Sequence, residues 1–312
     1  MTNLILDMDT GIDDSVALFL AACSEEANLL GVVSTYGNVT SSVGARNSLS
    51  ILALAGRGEV PVFEGQGHPL KAESYYPASV TQKIHGKNGL ANVAVPLAER
   101  KVEQEDGISW LIRMMKKYDF SLVYVATGPL TNLALALERE PSLKGFRGRV
   151  VSMGGALCVK GNVSPFAEAN ISKDPEAAKI CYESGLDITL VGLDVTMKSR
   201  LTKEEASCWK ASGTKAGEIL GNMLLYYIDN TLGSEEDAYV HDPSAVIYAL
   251  HPEYFTTLNL PLTVETEGEC RGRTLVSTER ILERNCKSKA CLDVDSAKVE
   301  AYLKHINAGL SS

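Results

Sequence analysis

The sequence predicts an α/β fold, a single large domain spanning residues 1–312, with a mostly parallel central sheet and helices on both faces. Three observations predict it. Short, β-rich apolar runs alternate with segments of helical periodicity. The runs are apolar on both alternating sets of positions, as expected for strands covered on both faces rather than one. Polar residues bunch just after the runs, where the carboxyl ends of parallel strands open into their loops and where such folds carry their active groups.

The elements follow in order. LILDM (4–8) reads as a strand and DSVALFLAAC (14–23) as the helix behind it. LLGVVSTYG (29–37) and SSVGARNSLSILALAG (41–56) repeat the pair, as do FSLVYVATG (120–128) and PLTNLALALERE (129–140). RVVSMGGA (149–156) is the next strand, DPEAAKICYESG (174–185) its helix, and DITLVGLDVT (187–196) a further strand-like run. The stretch from Arg200 to Asp237 is different: helical, polar at both ends and aromatic in the middle, with Trp209, Tyr226 and Tyr227. It reads as a helical lid beside a cleft or as an ordinary surface helix pair.

Composition narrows the function. With 45% hydrophobic and 22% charged residues the chain has ordinary globular composition. A net charge of −9 without a long Lys/Arg run argues against nucleic acid and anionic membrane surfaces as partners, leaving small molecules and copies of itself. Seven scattered cysteines with no C-x-x-C pair point to a reducing compartment. The N-terminus MTNLILDMD lacks a basic n-region and an adequate apolar h-region, and no apolar window reaches the roughly 18 residues of a membrane span, so a cytoplasmic location is expected.

The sharpest feature is DMDTGIDD (7–14), with Asp7, Asp9, Asp13 and Asp14 between two apolar runs. Like charges repel, and removal from water strengthens the repulsion. Helix capping accounts for one or two of the four, since a carboxylate at a helix start meets free N–H groups and the positive end of the dipole. A hard divalent cation, calcium or magnesium, accounts for the set. An EF-hand is excluded by Ile12 where glycine belongs and Leu18 where glutamate belongs. The D-x-D of a magnesium-dependent haloacid-dehalogenase-like phosphatase is nearer, but Thr10 and Gly11 stand in reverse order. The same loops offer few cations for a phosphate beyond Lys87, Lys160 and Lys173.

Other strand ends add Asn38, the TGPLTNLA segment (127–134), Asn162, Glu168 and Asn170 within nine residues, and His241–Asp242. Together with YGN (36–38), IHGKNGL (84–90), MGG (153–155), GNVSPFAEANISKDPEAA (161–178) and HDP (241–243), the chain resembles the nucleoside hydrolases, the inosine-uridine-preferring N-ribohydrolases, over nearly its whole length.

That resemblance implies calcium-dependent hydrolysis of the N-glycosidic bond of ribonucleosides to free base and ribose, in nucleoside salvage, by a homodimer or homotetramer. Carried over by position, it implies Asp9, Asp14, Asp242 and the Thr127 carbonyl as calcium ligands and Asp9 as general base. Asp13, Asn38, Asn162, Glu168, Asn170 and Asp242 are then expected on the ribose hydroxyls, His85, Tyr226 and Tyr227 on the base side, and Asp7 behind the loop that it orients. Independently of the family, carboxylates around the sugar suit an oxocarbenium-like centre, and His241 is the natural proton donor to a departing base. Thr10 replaces the family's usual proline, which is expected to loosen the turn while leaving every carboxylate in place. TVETEGECRGRTLVSTE (263–279) only partly resembles the family's strand pair. A non-catalytic nucleoside-binding protein keeps the same pocket without turnover; the intact base and metal set argue against it.

Overall fold

A computed structural model describes residues 1–231, 237–283 and 285–310. Its strands are β1 (Thr2–Met8), β2 (Ala27–Ser34), β3 (Val62–Glu64), β4 (Leu122–Ala126), β5 (Arg149–Met153), β6 (Asp187–Val191), β7 (Arg200–Thr202), β8 (Asp237–Tyr239), β9 (Phe255–Asn259), β10 (Leu262–Val264), β11 (Thr274–Val276) and β12 (Lys289–Val294). Eight of them form one sheet in the order β3-β2-β1-β4-β5-β6-β12-β9, parallel throughout except for β9, which pairs antiparallel with β12. Two antiparallel pairs, β7–β8 and β10–β11, complete the strands; the second is the pair expected over 263–279.

Residues alternate across β1. Leu4, Leu6 and Met8 pack with the helices Ile12–Cys23, Ser41–Leu54 and Asp242–Leu250, while Ile5 packs on the other face with Gly107–Tyr118, Thr131–Arg139 and Pro175–Tyr182. This is the period-two geometry of a strand buried on both sides. Between β1 and β4 the strand order reverses direction, from β2 and β3 on one side to β5 and β6 on the other, and the crevice at such a switch opens outside the strand carboxyl ends.

Two readings change. DITLVGLDVT is not one strand: β6 stops at Val191, and Gly192 starts a short helix, Leu193–Thr196. The 200–237 segment contains two helices, Lys203–Lys210 and Lys215–Asn230, framed by β7 and β8; both helices bury apolar residues in the main core, so their inner face is structural. Residues 232–236 of the expected lid lie outside the described residues.

Candidate active site

The acidic motif straddles the end of β1. Gly11 caps the helix Ile12–Cys23, and its N–H donates to Asp14 Oδ2 at 2.9 Å. A Cβ at Gly11 would lie 2.6 Å from His85 Nδ1 and 2.8 Å from Asn38 Nδ2, so glycine lets both close on the helix start. The expected loosening by Thr10 does not occur: its hydroxyl bonds Ser48 Oγ at 2.7 Å, and its carbonyl accepts from Asn47 Nδ2 at 3.0 Å. Side chains from the helix Ser41–Leu54 thus hold the turn.

The four aspartates fall on different elements: Asp7 in β1, Asp9 in the turn after it, and Asp13 and Asp14 in the helix Ile12–Cys23. Asp7 lies within β1 on the Ile5 face, entirely buried, accepting from Tyr124 Oη and, at 2.9 Å, from Asn132 Nδ2. Burial raises its pKa to about 7, and the two donors only partly offset this. Asp9 is also fully buried: its Oδ2 accepts from the Asn38 N–H at 2.7 Å and from Lys173 Nζ at 3.2 Å, whereas its Oδ1 has no partner. A Cβ at Gly37 would come within 1.9 Å of Asp9 Oδ2, so that approach also depends on glycine.

Asp13, Asp14 and Asp242 offer carboxylate oxygens that all lie within 4.8 Å of one another. Burial pushes the Asp14 and Asp242 carboxyls well above the usual range, and neighbouring aspartates push them further. Asp14 Oδ1 accepts from Thr127 Oγ1 at 2.7 Å, while Asp13 Oδ1, also buried, has no hydrogen-bond partner. Unpartnered carboxylate oxygens beside a tight carboxylate group form an all-oxygen set of the kind that can hold a hard cation. The three-carboxylate group contains Asp13, expected on ribose, but not Asp9, whose Oδ2 is engaged by Asn38 and Lys173 while its charge still acts on Asp14. The Thr127 carbonyl accepts from Asn170 Nδ2 at 2.7 Å and keeps a second lone pair.

Over these groups opens a pocket of about 530 Å³ lined by Asp13, Asn38, His85, Thr127, Asn162, Glu168, Asn170, Tyr227, His241 and Asp242. All the residues expected on ribose are therefore in one place. Glu168 Oε2 accepts from the N–H groups of Gly155 at 2.9 Å and Ile171 at 3.1 Å, and Asn162 Oδ1 accepts from the Ala169 N–H at 2.9 Å. His85 Nδ1 accepts from the Ile12 N–H at 3.2 Å, so its Nε2 carries the hydrogen; burial lowers its pKa to about 4. His241 shares a 2.8 Å hydrogen bond with Thr196, and burial lowers its pKa too. Of the two expected tyrosines only Tyr227 faces the pocket, with its hydroxyl 3.4 Å from Asp13 Oδ2; Tyr226 turns away to the Lys83 carbonyl, because neighbouring positions on a helix point about 100° apart.

Sequence reasoning noted Lys173 only as one of the few loop cations and missed Tyr75, Tyr239 and Met197; all four line the pocket. Lys173 lay in a segment already singled out, but a lysine in a polar loop reads as solvated. Tyr75, whose hydroxyl donates to the Gly37 carbonyl at 2.6 Å, comes from an aperiodic loop with no signal of its own.

The model for inosine-uridine preferring nucleoside hydrolases matches residues 4–301. Uridine nucleosidase 1 of Arabidopsis thaliana is 37% identical over 276 residues, covering 88% of this chain and 81% of that protein. The pyrimidine-specific ribonucleoside hydrolase RihA of Enterobacter sp. (strain 638) is 33% identical over 296 residues, covering 94% and 93%. A solved purine-preferring ribonucleoside hydrolase from Gardnerella vaginalis superposes with a TM-score of 0.96 at 40% identity, over 99% of both chains.

Proposed function

The chain belongs to the inosine-uridine preferring nucleoside hydrolases, enzymes that cleave N-glycosidic bonds, and on that premise we propose that it hydrolyses ribonucleosides to free base and ribose with a bound calcium ion. One observation carries the calcium reading: the buried, unpartnered oxygens of Asp9 and Asp13 beside the Asp13–Asp14–Asp242 group, an all-oxygen set that suits a hard cation. Asp9, Asp14, Asp242 and the Thr127 carbonyl would hold the ion, with Asp13 close enough to join them. Bound there, it would supply a lowered pKa to an attacking water.

The remaining chemistry is assigned to the chain. Asp9 takes the proton of the attacking water through its unpartnered Oδ1. Asn38, Asn162, Glu168 and Asn170 orient the ribose, and the surrounding carboxylates stabilise positive charge as the C–N bond breaks. His241 donates to the departing base, while His85, at the end of the helix Ser79–His85 and fixed as an Nε2–H donor by the Ile12 amide, hydrogen-bonds it. Asp7 holds the end of β1 through Tyr124 and Asn132.

We assign the enzyme to nucleoside salvage in the cytoplasm as a homodimer or homotetramer. Its seven free cysteines fit a reducing compartment, and among the described residues no helix is long and apolar enough to cross a membrane. The relatives' names divide between pyrimidine and purine nucleosides, so the test is a panel: inosine, adenosine, guanosine, uridine and cytidine, assayed for free base and ribose with and without calcium. Calcium-restored turnover that Asp9→Ala abolishes supports the reading. Tight nucleoside binding without turnover, calcium being bound, refutes it in favour of a binding protein.

A further inference from the structure

Among the described residues lining the pocket, the acidic groups meet one lysine and no arginine: Lys173. It ends the short helix Ala169–Lys173, its side chain is only 13% exposed, and it reaches back 164 positions to the N-terminal motif. Its Nζ lies 3.2 Å from Asp9 Oδ2 and 3.4 Å from Asn170 Oδ1. Asp9 Oδ2 thus has two donors, Lys173 and the Asn38 amide, while Asp9 Oδ1 has none. The terminal torsion of a carboxylate is broad, so without fixed donors its plane would swing and its oxygens would not keep one direction. Donors gathered on one oxygen fix that plane and leave the other oxygen open. Asn170 is fixed in the same way, with Oδ1 toward the ammonium and Nδ2 on the carbonyls of Thr127, at 2.7 Å, and Met153, at 3.3 Å.

We propose that Lys173 is a positioning residue: by holding Asp9 Oδ2 and Asn170 Oδ1 together, it fixes the plane of the Asp9 carboxylate, and so the direction its partnerless oxygen presents to the attacking water, and which end of the Asn170 amide meets the Thr127 carbonyl. The proposal rests on Asp9 acting as the base. It differs from a counter-ion role, in which a cation bound at the carboxylates would make Lys173 redundant for turnover. It differs also from recognition of a phosphorylated substrate, because the ammonium is already engaged by Asp9.

The test combines Lys173→Met and Lys173→Arg with steady-state release of base from uridine and inosine and with calcium titration of chelator-treated protein by calorimetry. Lys173→Met is expected to lower kcat by about 10- to 100-fold, the scale of a misplaced catalytic group, with KM within about threefold and calcium Kd unchanged or tighter. Lys173→Arg should recover part of the loss. In an Asp9→Asn background Lys173→Met should cost nothing further, because its effect passes through Asp9. Full turnover in Lys173→Met overturns the proposal, as does loss of kcat together with calcium binding, a rise in KM alone, or cleavage of a nucleoside 5′-monophosphate that depends on Lys173. If the methionine variant does not fold, Lys173→Gln carries the same test. Wild-type turnover in Asp9→Asn would remove the base assignment itself; an inactive Asp9→Asn beside a fully active Lys173→Met removes only the role given to Lys173.

Discussion

The hydroxyl of Thr127 donates a 2.7 Å hydrogen bond to Asp14 Oδ1, joining the end of β4 to the helix that follows β1 across 113 residues of sequence. The two strands are neighbours at the point where the sheet order reverses, so one threonine presents its carbonyl toward the site and clamps a carboxylate with its side chain. Thr127→Val keeps the shape and the carbonyl but removes the donor. It should weaken calcium binding about tenfold, the scale of about 1.4 kcal/mol for a hydrogen bond to a charged group, as read by calorimetric titration. Unchanged affinity would mean that Asp14 does not need the clamp.

Buried carboxylates that repel one another destabilise the metal-free protein, and a cation that binds only the folded state reverses this by mass action. Calcium at 100 times its Kd should add about 2.7 kcal/mol, seen as a rise of several degrees in Tm relative to chelator-treated protein. Magnesium, with stricter demands on geometry, should give a smaller rise. Equal midpoints with and without calcium would refute a resident cation.

If His241 protonates the departing base, its loss should matter least where the base leaves most readily. His241→Ala is expected to cost about 10²- to 10⁴-fold on ordinary ribonucleosides and far less on a ribonucleoside with an activated leaving group such as p-nitrophenyl riboside. Equal losses on both would assign His241 to binding instead.

Away from the site, Glu176 is gripped by Arg271 through two hydrogen bonds, of 2.7 and 2.8 Å, and by Lys71 at 3.1 Å. The Arg271 bonds lower its pKa from 4.5 to about 2. A depressed carboxylate contributes stability that is complete above its unfolded pKa and is lost as pH falls through the folded one. Arg271→Met should therefore destabilise by about 1 kcal/mol at pH 7 in urea unfolding, with the gap to wild type narrowing toward pH 3. A gap independent of pH would assign the effect to packing of the arginine stem.

The sequence by itself determined the alternation of strands and helices, the single α/β domain and the segments that supply the site, because these are local properties. An apolar run reports burial on both faces wherever its partner strands lie, and glycines, aspartates and asparagines after such runs mark the strand ends. The tertiary structure decided which side chains meet. Its place inside β1 buried Asp7 against Tyr124, helix geometry separated Tyr226 from Tyr227, and the Ser48 hydroxyl held the turn that Thr10 was expected to loosen. Sheet order and crossovers brought Lys173 from 164 positions away onto Asp9. Such contacts have no signature within a sequence window: the same lysine is a solvated surface charge or a buried anchor according to which strand end lies opposite it, and only the assembled sheet fixes that.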